Sequence, residues 1–103
     1  MRRFDTIFEG LTVARVTIDF PSVSSNGTVV VDTNVPGLAL GTHIITWAPV
    51  TTATTIDDLL ITWMVVAADT LRTVLYNPTG GAIDPDSIDF EFVYGTVNPD
   101  IDP

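Results

Sequence analysis

Thr28-Val-Val-Val-Asp-Thr-Asn-Val-Pro36-Gly37-Leu-Ala-Leu-Gly41-Thr-His-Ile-Ile-Thr-Trp47 is the stretch whose reading decides the fold of this chain. It is a run of β-branched residues, a stop, and a second run. Residues branched at Cβ lose rotamer freedom in a helix and fit a pleated sheet. Pro36-Gly37 suits the central positions of a type II turn, where proline presets φ and glycine accepts a positive one. Strands are therefore expected over 28–35 and 42–48, with Gly41 opening the second.

The same pattern extends in both directions. Thr, Val and Ile together make up over a third of the chain, and seven Pro and seven Gly punctuate it. That spacing suits short strands and turns. Leu11 to Phe20 alternates, with Thr12, Ala14, Val16, Ile18 and Phe20 as the face expected inside and Arg15, Thr17 and Asp19 outside. Asn26-Gly27 marks a turn. Thr55 to Leu60 allows one helical turn capped by Thr55. Ile61 to Ala67 returns to strand, and Ala68-Asp69 turns a hairpin into 70–77. There Leu71, Thr73 and Leu75 alternate with Arg72, Val74 and Tyr76. The last strand, 87–97, sets Ile88, Phe90, Phe92 and Tyr94 against Asp89, Glu91 and Val93. The expected fold is all-β: a small antiparallel β-sandwich, jelly-roll-like, with about six to eight strands and at most one short helical turn. Three segments are expected: an N-terminal arm at 1–11, the sandwich domain at 12–97 and a short acidic tail at 98–103.

A chain of 103 residues forms one domain. Of the surface its unfolded form exposes, about 65% is buried on folding. There is no Cys to supply a disulfide, which fits folding in a reducing cytoplasm. Self-association is the remaining common source of stability for a small domain.

The formal charge is −9, and it is unevenly spread. Arg2, Arg3 and Arg15 outnumber Asp5 and Glu9 in the first fifteen residues, whereas Arg72 alone faces eleven acids after them. Such a body repels phosphate backbones and anionic lipid, so neither nucleic acid nor membrane is an expected partner. No apolar run approaches the roughly 20 residues of a membrane-spanning helix. Acids interrupt the basic start before an apolar signal segment forms.

No catalytic constellation is legible. The one His, His43, lies beside the Gly41 turn and is read as structural. The four Ser include Ser22, Ser24 and Ser25 in one loop, with no nucleophile elbow. Asp84, Asp86, Asp89 and Glu91 are dense enough to consider for calcium, but Pro85 and Ile88 break the loop pattern such sites use. Asp57 and Asp58 are neighbours that do not face each other on a helical turn. Gly80-Gly81 lacks the lysine and helix of a phosphate loop. The expectation is a protein that is not an enzyme and carries no cofactor and no metal. Trp47, Trp63, Tyr76 and Tyr94 are the candidates for core or subunit contact, with a sugar-stacking platform as the alternative.

Three segments carry a resemblance: Val35-Pro36-Gly37-Leu38-Ala39-Leu40-Gly41, Val66-Ala67-Ala68-Asp69-Thr70-Leu71-Arg72-Thr73-Val74-Leu75-Tyr76-Asn77, and Gly81-Ala82-Ile83-Asp84-Pro85. Asp19-Phe20-Pro21-Ser22 fits beside them. In order and spacing, over about 12–97, these resemble small jelly-roll virion proteins of tailed bacteriophages, of the capsid decoration (cement) type. Arg72 departs from that pattern, which prefers an apolar residue there, and the first eleven residues fall outside it. The resemblance implies a homotrimer on the outer surface of the capsid, bound to the major capsid protein, folded in the host cytoplasm and stabilising the phage head. Arg2, Arg3, Phe4, Ile7 and Phe8 would then be the capsid contacts. The alternative it implies is a carbohydrate- or receptor-binding module of a head or tail fibre.

Overall fold

The computed structural model describes residues 8–50 and 54–97. Six strands follow one another: β1 (Phe8–Phe20), β2 (Thr28–Asn34), β3 (Thr42–Pro49), β4 (Leu60–Ala67), β5 (Thr70–Tyr76) and β6 (Asp86–Val97), with a 3-10 turn at Thr54–Asp58 before β4. They form two antiparallel three-stranded sheets, ordered β1-β6-β3 and β2-β5-β4. Only the β4–β5 connection is a hairpin; every other connection crosses between the sheets. The sandwich expected from the alternation is the observed fold, with six strands.

Period-two alternation places the core. On β6, Ile88, Phe90, Phe92 and Tyr94 are buried, and on β1 Ile18 and Phe20. Leu71, Thr73 and Leu75 of β5 close the layer from the other sheet. Phe90 is the hub: its ring lies 5.9 Å from Phe20, 5.8 Å from Trp47 and 5.2 Å from Trp63, near edge-to-face in each case. Edge-to-face pairing adds about 0.5–1.5 kcal/mol to the burial of each ring.

The outward face of the first sheet is polar where the sequence alternates that way. Arg15 Nε donates to Glu91 Oε2 at 3.1 Å, and the Thr17 hydroxyl donates to Asp89. Both are directly opposed cross-strand pairs.

Two polar clasps hold the ends of β5. At its start, the tip residue Asp69 sits at φ 58 and meets the β2–β3 turn. Gly37 N donates to Asp69 Oδ1 at 2.9 Å, Val35 N donates to Asp69 O at 2.8 Å, and Asp69 N donates to Leu38 O at 2.8 Å. Gly37 itself stands at φ 94, the conformation the Pro-Gly turn requires. At the far end Asn77 is fully buried. Its Nδ2 donates to Val23 O and Gly81 O, and its Oδ1 accepts from the amide and hydroxyl of Thr79. Every polar valence of the amide is met, which is what burial of such a group demands.

Three details differ from the expectation. The first strand begins at Phe8 rather than Leu11, so Phe8 and Glu9 of the expected arm pair with Val97 and Thr96 of β6. A bulge between Glu9 and Thr12, with Gly10 at φ 64, breaks the alternation there and hides the strand from a period-two reading. The Asn26-Gly27 turn is centred one residue earlier: Gly27 N donates to Ser24 O at 2.8 Å, and Asn26 takes the positive φ. The helical turn is 3-10 and spans Thr54–Asp58.

Candidate docking surface

The two sheets approach each other along their β3 and β4 edges without joining into one ladder. Each of these strands pairs on one side only, β3 with β6 and β4 with β5, and a cleft opens at each end of the seam between them. At one end it is a hollow of about 320 Å³ lined by Trp47, Pro49, Ile56, Asp57, Leu59, Leu60 and Ile61. At the other it is about 360 Å³, between Gly41–Ile44 of β3 and Trp63–Val65 of β4. Trp47 and Trp63, with ring centroids 5.4 Å apart, stand between the two.

Local sequence shapes these hollows. The 3-10 turn buries Ile56 and Leu59 against the core and leaves Leu60, the first residue of β4, 62% exposed. Both edges carry a bulge, between Ile44 and Thr46 on β3 and between Val65 and Ala67 on β4. Bulges twist an edge and interrupt its ladder, so the edges resist open-ended pairing. Beside the hollows, Trp63 Nε1 is buried with no hydrogen-bond partner. An unsatisfied buried N–H costs about 1–3 kcal/mol.

The four expected aromatic contacts separate into different environments. Trp47 is 37% exposed at the cleft, and Tyr76 is 36% exposed on the outer face of the second sheet. Trp63 is half-buried, packed 4.8 Å from Phe92. Tyr94 belongs to the core of the single chain, 7% exposed, with its hydroxyl close to Gly37. Of the expected capsid contacts, Arg2, Arg3, Phe4 and Ile7 lie outside the described residues. Phe8 is placed only as the first residue of β1.

The acids are dispersed by the fold. Asp84 Oδ1 accepts from the amide of Asp86 in a local turn, Asp89 bonds Thr17 and Glu91 bonds Arg15. Among the described residues no three His, Asp or Glu side chains converge as a metal-holding group would. Arg72, the departure from the family-like pattern, forms a two-pronged pair with Asp32 at 2.9 and 3.0 Å on the outer face of the second sheet. Its hydrogen bond to Asp32, opposed by desolvation and aided by its charge, holds that carboxyl below its ordinary pKa; the Arg72 pKa is raised in turn.

Apolar surface persists outside the cleft. Leu11 and Val13, the latter 62% exposed, lie on the outer face of the first sheet. Leu11 also lines, with Ile45, Thr46 and Val93, a hollow of about 160 Å³. The sequence could not reveal the cleft lining at Pro49, Ile56, Leu59 and Leu60, because those residues meet only when the two sheets pack. The one signal was an apolar Leu59-Leu60 pair directly after two aspartates. No family model matches this chain, and no curated protein or solved structure matches it significantly.

Proposed function

We propose that the protein is a structural virion component, a capsid decoration protein that binds the outer surface of a tailed-phage head and stabilises it. The observation carrying this reading is apolar surface left open on a small, acidic sandwich: the β3/β4 cleft and the outer patch around Leu11, Val13, Ile45 and Val93. Patches of this kind on a soluble domain mark contact surfaces. The family-like residues support the reading through the scaffold: Val35, Gly37, Leu38, Asp69, Asn77 and Gly81 are among the residues that the two clasps join. They specify the fold more directly than the work it does.

In this role the partner is the major capsid protein and the action is mechanical. Buried apolar area at the joint between capsomers opposes their separation under internal pressure. Self-association into a homotrimer supplies several copies of the contact at once. Co-sedimentation with purified capsids tests the role, paired with the melting temperature of the heads. Binding that raises head stability supports it; a protein that neither sediments with capsids nor shifts their melting ends it.

A second reading has its own observation. Trp47 is partly exposed beside Asp57 in the cleft, an arrangement that suits stacking on a sugar ring with a carboxylate to accept its hydroxyls. Under this reading the domain is a glycan- or receptor-binding module of a fibre. Saturable quenching of tryptophan emission by glycans, lost in Trp47→Ala, would favour it over decoration.

A further inference from the structure

We propose that the β2 edge of the second sheet pairs with the β2 edge of a second copy, antiparallel about a twofold axis at Val31, so that two three-stranded sheets join into one. The reasons are free main-chain groups, charge and register.

Among the described residues β2 is an edge strand, bonded on one side to β5 alone. Val35 N donates to Asp69 O and Asn77 N donates to Gly27 O, and the β2–β5 register between these bonds runs without a shift. Antiparallel partners exchange bonds at alternate positions, so Val29, Val31 and Thr33 direct theirs at β5. The amides and carbonyls of Thr28, Val30, Asp32 and Asn34 therefore point to the open side. Sheet edges are commonly blunted by a bulge, a proline or a lysine. β3 and β4 are bulged; β2, Thr-Val-Val-Val-Asp-Thr-Asn, carries none of the three.

Charge selects this edge over β1, whose ladder is unbroken from Thr12 to Phe20. The strands of the second sheet carry only Asp32 and Arg72, bonded to each other, and so have no net charge. The first sheet sets Arg15 against Glu9, Asp19, Asp86, Asp89 and Glu91. In a chain of net charge −9, copies brought together through β1 repel each other, whereas copies brought together through β2 do not. The neutral edge is also apolar. Val30 is 54% exposed, and Val29 and Val31 are only partly buried against the core.

Register follows from the same groups. Centred on Val31, the pairing sets Thr28 opposite the partner's Asn34 and Val30 opposite the partner's Asp32. All four outward residues then bond, with about eight hydrogen bonds across the joint. Sliding the centre to Asp32 sets two aspartates directly opposite each other, which is unfavourable; sliding it to Val30 leaves Asn34 unpaired. Val31 meets its own equivalent and Val29 meets Thr33, which covers the partly buried inner row. The contact is isologous and closes at two copies, because the edge left at each end of the joined sheet is the bulged β4. It is separate from the threefold association proposed above and uses neither the hollows nor the patch at Leu11 and Val13.

The test is the solution mass of the full chain by light scattering, with no capsid present, which separates it from the decoration role. Proline at an outward-facing amide removes no bond to β5. Val30→Pro should therefore halve the wild-type mass, whether the wild type is a dimer or a larger assembly, while leaving circular dichroism unchanged. The chain has no Cys, so a single introduced one reports the register. Val31→Cys should form a disulfide-linked dimer on air oxidation, since its two Cα atoms lie about 4.5 Å apart across the joint. Val30→Cys, offset from its own equivalent by two positions, should stay unlinked despite its exposure. If Val30→Pro unfolds the chain, the two cysteine variants decide. A monomeric wild type, a mass that Val30→Pro leaves unchanged, a Val31→Cys that does not crosslink, or a Val30→Cys that crosslinks as readily would each overturn the proposal. A trimer indifferent to Val30→Pro would overturn it while keeping the decoration reading.

Discussion

The carboxylate of Asp69, at the tip of the β4–β5 hairpin, accepts the amide of Gly37, 32 positions earlier, at 2.9 Å. Two turns that lie far apart in sequence are thereby one structural unit. Asp69 serves it three ways: it tolerates the left-handed backbone, caps the Pro36-Gly37 turn with its side chain, and shares two main-chain bonds with Val35 and Leu38.

Asp69→Ala should therefore cost about 1–2 kcal/mol, from the lost side-chain acceptor plus left-handed strain. Asp69→Asn keeps both the acceptor and the tolerance of positive φ and should recover most of it. Urea unfolding midpoints of the three proteins decide this; equal loss in both variants would show that the Gly37 bond is not what matters.

Asn77 holds the other end of β5. Asn77→Ala leaves Val23 O and Gly81 O without their donor and opens a void, so a loss of about 2–4 kcal/mol is expected. Asn77→Asp should be no better, because a carboxylate would face two carbonyls. Chemical denaturation measures both, and a cost under about 0.5 kcal/mol for either would refute the clasp.

Thr73 makes the opposite case. Its residue is fully buried and its hydroxyl finds no partner. Thr73→Val removes the unmet hydroxyl while keeping the β-branched shape, and should raise stability by about 1 kcal/mol. A lower melting temperature for this variant would mean that the hydroxyl has a partner after all.

The Asp32–Arg72 pair predicts an acid-side effect. Asp32 titrates below its unfolded value, chiefly because Arg72 hydrogen-bonds its charged form. Its contribution is therefore present above about pH 4, the ordinary carboxylate value, and disappears as the pH falls through the depressed pKa. The pair is exposed and screened, so the effect is small. Unfolding curves taken from pH 6 to pH 2 should fall more gently in Asp32→Asn than in the wild type. Identical slopes would leave Arg72 without a role in acid stability.

The two tryptophans should separate. Trp63 packs against Phe90 and Phe92, and Trp63→Ala should cost about 3–5 kcal/mol. Trp47, more open at the cleft, should cost less. Comparing the two in guanidinium tells whether the cleft wall is part of the core; equal losses would say that Trp47 is as deeply committed as Trp63.

What the sequence alone determined was local. β-branched runs, period-two alternation and Pro-Gly punctuation act over a few residues, and they sufficed for six strands, their inward faces at Ile18, Phe20, Leu71, Leu75, Phe90 and Phe92, and the Ala68-Asp69 hairpin. Tertiary structure decided what depends on distant partners: that β6 and β5 are the central strands, that Asp69 and Asn77 are clasps, that Tyr94 lies inside while Trp47 stands open, and that β3 and β4 come together with a hollow at each end of their seam. The physical reason is that alternation says which side of a strand is apolar but not what covers it. Cover is set by which sheet each strand joins, and crossing connections leave that choice to packing across the whole sandwich.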